Sequence, residues 1–137
     1  MPEFIEKERF KVYELGHDLI DQEHYELLRL AGYVKFVAHK CDVPMLKKAI
    51  EELKAALVLH FPHEEELMQS SGFPYYEWHA SAHQAMLVAL DKALAKYSLA
   101  QNRFLAENDF VSALEMLIFN HMDEQDRQFV MFLMNRE

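Results

Sequence analysis

Glycine and proline are scarce in this chain, with three and four among 137 residues. A β-sandwich or barrel needs a turn every ten residues or so, and these two residues supply most of them. An all-β fold is therefore excluded. There is one cysteine, Cys41, so no disulfide can close within the chain. Alone and near an expected helix end, it reads as inert. No run approaches the roughly 20 apolar residues of a membrane span. The opening MPEFIEKERFKVYELGHDL lacks an apolar stretch of signal-peptide length. Cations are in the minority: 14 Lys and Arg against 23 Asp and Glu leave a formal charge of −9. The longest basic cluster is the pair Lys47 and Lys48, too little for phosphate contacts. Neither nucleic acid nor an anionic membrane surface is an expected partner. A soluble cytoplasmic protein without membrane insertion is the expectation.

The length fits one domain over residues 1–137 with a single core. Just over half the residues are apolar, enough for a packed interior. Long helices with few connections suit this composition. The periodicity predicts an N-terminal arm over about 1–16 and four helices over about 18–40, 43–70, 74–99 and 108–135. Phe4, Ile5, Phe10 and Tyr13 of the arm are expected to lie against the bundle. On the second helix the inward seam reads Leu46, Ile50, Leu53, Leu57, His60, Glu64 and Leu67, the alternating fours and threes of a bundle helix. Ile20, His24, Leu27, Ala31 and Val34 form the seam of the first. His79, His83, Met86, Leu90, Leu94 and Tyr97 form that of the third, and Phe110, Leu114, Leu117, His121 and Phe129 that of the fourth. Asp42 is placed to cap the second helix with Pro44 in its first turn. Gly72 is placed to stop it, with Pro74 opening the third. Connections this short make consecutive helices antiparallel. The expected architecture is all-α, an up-down-up-down antiparallel four-helix bundle with an N-terminal arm.

Eight histidines are many for this length, and five of them fall on inward seams. A carboxylate on a seam, such as Glu64, is costly to bury unless something compensates it. His24, His60, His79, His83 and His121 fall toward one end of an alternating bundle. Asp126 follows His121 by five residues, about 140° off a strict helical face at 100° per residue. Five imidazoles and two carboxylates exceed the four ligands of one tetrahedral ion and suit two bridged metals. Imidazole accepts zinc, copper, iron or nickel, so ligand type alone leaves the metal open.

His24 in DQEH, His60 and Glu64 in HFPHE, His79 and His83 in HASAH, and His121 with Asp126 in HMDEQD match one known pattern in order and spacing. The flanks agree: Gly16 before Asp21, EELM at 65–68 and SGFP at 71–74. Over about residues 13–130 the chain resembles the hemerythrin family, in its single-domain bacterial form. The resemblance implies two iron ions, cycling between Fe2+ and Fe3+, with an oxo or hydroxo bridge. It implies that His79, His83 and His121 hold one iron, that His24 and His60 hold the other, and that Glu64 and Asp126 bridge them. It implies reversible O2 binding at an open position on the second iron, for oxygen delivery, storage or sensing, rather than an enzyme. Reversibility needs a dry pocket, for which Leu27, Phe61, Leu117, Ile118 and Met122 are the candidates; each could equally be ordinary core.

Some residues depart from that pattern. Pro62 removes the helix bond to the Val58 carbonyl, so a kink or local widening is expected there. Leu117 stands where the family commonly has tryptophan, which implies a larger or looser pocket; Tyr13 also stands where bacterial members often carry tryptophan. His63 falls about 60° off the seam and is expected at the surface; His17 and His39 are expected as surface or satisfied residues. Glu65 and Glu66 read as a solvated face. Met68, Met86, Met131 and Met134 read as core rather than ligands, since thioethers favour softer ions. The rival readings are a di-iron redox enzyme (a peroxidase, an oxidase or a handler of nitric oxide), an iron-storage or scavenging protein, and a structural bundle with incidental histidines.

Overall fold

The computed structural model describes residues 14–40 and 42–135. Most of the expected arm, including Phe4, Ile5, Phe10 and Tyr13, lies outside the described residues, as does Cys41. Helix α1 is Asp18–Ala38, α2 is Val43–Ser71 and α3 is Tyr76–Leu99. The fourth helix is built from α4, Arg103–Glu115, a π-helical stretch, Met116–Asp126, and α5, Arg127–Asn135. The chain is an all-α four-helix bundle, as its periodicity predicts.

The helix ends follow from local chemistry. The Asp42 carboxylate accepts from the Met45 backbone N–H at 3.0 Å, and Gly72 closes α2 in the left-handed region at φ 75°, where a residue with a Cβ is strained. His17 caps α1 by accepting from the Ile20 N–H at 3.3 Å. Ahead of it, Asp21 accepts from the N–H groups of Leu15 at 2.8 Å and Gly16 at 3.0 Å. Three boundaries differ from expectation, the first being that α1 ends at Ala38, two residues short of 40. Helix α3 begins at Tyr76, because the chain first turns to bury Phe73 against Phe129, ring centroids 5.0 Å apart. The fourth helix begins at Arg103, five residues before the expected Asn108, because the Asn102 side chain accepts from the Leu105 N–H at 3.2 Å and caps it there.

Tyr97, near the end of α3, donates to the Ala38 carbonyl at the end of α1 over 3.1 Å, so these two helices run the same way. α2 packs between them in sequence, and Lys54 of α2 pairs with Asp91 of α3 at 2.7 Å. The seams face inward, although Leu67, Leu94 and Leu117 are only half-buried. Met131 and Met134 are exposed rather than core, on the outward side of the last turns. Among the described residues no helix is long and apolar enough to cross a membrane.

The apolar interior is divided in two. The larger part contains Leu27, Leu53, Leu57, Phe61, Met86, Leu90, Phe110 and Ile118. The smaller contains Leu15, Ile20, Met68, Phe73, Phe129 and Val130. Each helix contributes buried polar residues near the junction of these parts: His24, His60 with Glu64, His79 with His83, and His121 with Asp126, with Phe61 and Met122 of the larger part interleaved.

Candidate metal centre

Each buried polar residue reaches this layer from a seam position that would otherwise carry an apolar side chain. His24 comes from α1, His60 and Glu64 from α2, and His79 and His83 from α3, the pairs being four residues apart on one face. His121 and Asp126 come from the π-helical stretch. A π-helix bonds i to i+5, which brings a residue five positions on above its partner. His121 Nε2 accordingly lies 3.0 Å from Asp126 Oδ1, and the expected misalignment of about 140° does not arise. Pro62 lies inside α2 with an exposed side chain, and the helix runs through it. The wider turn is in the fourth helix instead.

The two carboxylates divide their oxygens between two sides. Glu64 Oε1 lies 2.9 Å from His79 Nε2 and 3.2 Å from His83 Nε2, while Oε2 lies 3.0 Å from His60 Nε2 and 3.7 Å from His24 Nε2. Asp126 Oδ1 faces His79 at 2.8 Å and His121 at 3.0 Å, while Oδ2 faces His24 at 2.9 Å. Two ligand groups result, sharing both carboxylates: Glu64, His79, His83, His121 and Asp126 on one side, and His24, His60, Glu64 and Asp126 on the other. Within each group the donor atoms lie within 4.8 Å of one another.

His79 Nε2 and Asp126 Oδ1 meet as a hydrogen bond at 2.8 Å, but most of the cluster is close without being aligned. Both Glu64 oxygens, His24 Nε2, His83 Nε2 and His121 Nε2 are buried without a directional hydrogen bond. Buried polar atoms are rarely left so. Donor atoms aimed at common points between them, rather than at each other, have this geometry, and nitrogen and oxygen donors of this kind fit a metal site.

The electrostatics agree. Burial works against charge on His24, but the Asp126 and Glu64 carboxylates outweigh it and raise its pKa from 6.5 to about 10. His60 is raised to about 9 against the same burial by Glu23 and Glu64, and His79 to about 9 by Asp126 and Glu64. Burial would raise the Glu64 carboxyl, yet the four surrounding imidazoles hold it well below its usual value. Asp126 is also lowered: burial and the Glu64 charge push it up, and the neighbouring imidazoles prevail.

Two further carboxylates escape the seam analysis. Glu23 Oε1 lies 3.1 Å from His60 Nδ1, and Glu65 Oε2 lies 2.8 Å from His83 Nδ1. An ionised carboxylate only accepts, so each Nδ1 carries the proton and donates; Nε2 is then the nitrogen turned to the centre. Glu65 is thus half-buried against a cluster residue, not part of a solvated face. The available signal was adjacency, since Glu23 precedes His24 and Glu65 follows Glu64. His63 is exposed as expected, and its Nδ1 shares Glu23 at 2.8 Å. His39 is exposed and pairs with Glu107.

A small cavity of about 10 Å³ touches His60, His121 and Asp126. Leu27, Leu57, Phe61, Met86, Ile118 and Met122 form its apolar walls. Phe61 stacks on His83 at 3.9 Å between centroids. Leu117 does not line this cavity; it lies on a separate outer depression.

Comparison with known proteins agrees with this site. The profile of the family described as "Hemerythrin HHE cation binding domain" matches residues 15–133. The chain is 27% identical over 119 residues to the bacteriohemerythrin of Stenotrophomonas maltophilia, covering 84% of this chain and 73% of that protein. It is 30% identical over 135 residues to that of Clostridium acetobutylicum, covering 93% and 98%. It is 32% identical over 110 residues to that of Aquifex aeolicus, covering 77% and 83%. No solved structure matches.

Proposed function

The chain belongs to the hemerythrin family, and from that membership we propose that it is a non-haem di-iron protein that binds O2 reversibly. Delivery, storage or sensing of oxygen in the cytoplasm would follow. The observation that carries this reading is the division of the Glu64 and Asp126 oxygens between two ligand groups. His79, His83 and His121 would hold one iron, His24 and His60 the other, and the two carboxylates would bridge. The second side has one imidazole fewer, which leaves room for an exogenous ligand. Two irons, when bound, supply the electrons and the vacant coordination position that a small ligand such as O2 or nitric oxide uses.

The chain's own residues do the rest. Glu23 and Glu65 hold the His60 and His83 rings and keep the proton on Nδ1. Leu27, Ile118 and Met122 exclude water from the small cavity, and Phe61 fixes the face of His83. The test is anaerobic Fe(II) loading followed by O2. A visible band that appears with O2 and fades on degassing supports the proposal; immediate, irreversible oxidation overturns it. That second outcome would favour a di-iron redox enzyme, a reading supported by the outer depression that reaches His121.

A further inference from the structure

Between α3 and the π-helical stretch, a depression of about 320 Å³ opens on the outer surface. Ala82, Ala85 and Ala89 of α3 and Leu117 of the opposite helix line its apolar side, and Asn120, Glu124 and Gln125 its polar side. Met86 and His121 line it too, and these two side chains also line the small inner cavity. A single layer of side chain therefore separates the outer depression from the candidate metal centre. His121 is the most exposed of the seven cluster residues, at 9%, as a residue in such a partition would be.

The partition differs from the other walls of the inner cavity. Leu27 and Leu57 are closed in by the main core, and Phe61 is held flat against His83. Of the six apolar wall residues, Met86 alone also lines the outer depression. Methionine is unbranched, with three rotatable bonds, and changes rotamer more readily than its neighbours. The three alanines leave empty the space into which its thioether would swing. An inner cavity of about 10 Å³ has room for roughly one water-sized molecule, and six of its nine lining residues are apolar, which suits a small uncharged ligand.

We propose that this depression is the port by which a small uncharged ligand reaches the inner cavity, and that Met86 is its gate. The inference rests on the O2-binding reading and adds the route to it. Ala85 is exposed, so Ala85→Trp can cover the depression without overfilling the core. In iron-loaded protein, Ala85→Trp lowers the O2 association and dissociation rates together by about tenfold, an added barrier of about 1.4 kcal/mol. The equilibrium constant, spectrum and iron content stay as in the parent. Met86→Ala raises both rates. Unchanged rates in both variants, or a change confined to dissociation, would overturn the port.

A second measurement needs no iron. In zinc-loaded protein under raised O2 pressure, paramagnetic relaxation of methyl protons maps where O2 travels. Enhancement at Ala82, Ala89 and Met86, continuing to Ile118, supports the route. Enhancement at Ile118 and Leu27 without the alanines and Met86 rejects it, as does no enhancement inside the bundle. If the iron-loaded protein fails to bind O2, the functional proposal falls while the methyl map still decides the port.

Discussion

His121 Nε2 lies 3.0 Å from Asp126 Oδ1, five residues further along the same helix. The π-helical stretch Met116–Asp126 makes that contact possible. Asp126 then reaches three imidazoles, those of His24, His79 and His121. Asp126→Asn is therefore expected to lower the metal content per chain, read by elemental analysis after dialysis. In metal-free protein the same change leaves buried imidazoles uncompensated and costs about 3–5 kcal/mol, read by denaturant unfolding.

Glu23 and Glu65 sit behind His60 and His83, 3.1 and 2.8 Å from their Nδ1 atoms. Glu23→Gln and Glu65→Gln should each weaken metal binding by about 10–100-fold, measured by competition with a chelator. His63→Ala, which removes an exposed residue from Glu23, should leave affinity nearly unchanged. Equal effects from all three would contradict the assignment.

Metal loading should release protons. In metal-free protein His24, His60 and His79 titrate at about 10, 9 and 9, so they carry protons at neutral pH that a metal must displace. About three protons per chain should appear in weakly buffered dye solution when Zn(II) is added. The sign for stability follows. These folded-state values lie above the ordinary 6.5, so their contribution is complete below pH 6.5 and is lost as pH rises through 9–10. The Glu64 carboxyl is lowered below 4.5, so its contribution is present above that pH and lost as the solution is acidified further. Metal-free protein should therefore lose stability at alkaline pH, and loaded protein should not show that loss.

Pro62 lies inside α2 with its ring exposed. It deprives the Val58 carbonyl of a helix bond without filling any core space. Pro62→Ala should raise the stability of metal-free protein by about 1–3 kcal/mol, seen as a higher melting temperature. A fall would mean that the helix is bent at this position to set Glu64.

Phe61 both stacks on His83 and walls the inner cavity. Phe61→Ala should cost about 3–5 kcal/mol and admit water beside the centre. Iron-loaded protein would then oxidise irreversibly faster than the parent, followed by the decay of its visible band.

Much of this was legible in the sequence. The unbroken fours and threes of α2 carried Glu64 inward along with Leu57, and the cost of burying a carboxylate made a compensating cluster necessary. His24, His79 and His83 sat on equally regular seams. The fourth helix was less legible, because a period of 3.6 has no place for a π stretch; the five-residue step from His121 to Asp126 was its one visible trace. Ile118, four residues after Leu114, is in the core, and the seam residue Leu117 beside it is half-buried. The Asn102 cap leaves little trace in the sequence, because Phe104 and Leu105, just after it, are exposed and give no inward pattern. Glu23 and Glu65 were illegible for another reason: one residue off a seam is about 100° away, and only a long side chain reaching back joins them to the cluster.

The most direct test of the central claim is an anomalous diffraction map at the iron edge from crystals of anaerobically loaded protein. Two peaks are expected, one among His79, His83 and His121 and one beside His24 and His60, with Glu64 and Asp126 between them. A single peak, or none within the cluster, would contradict the two-metal centre.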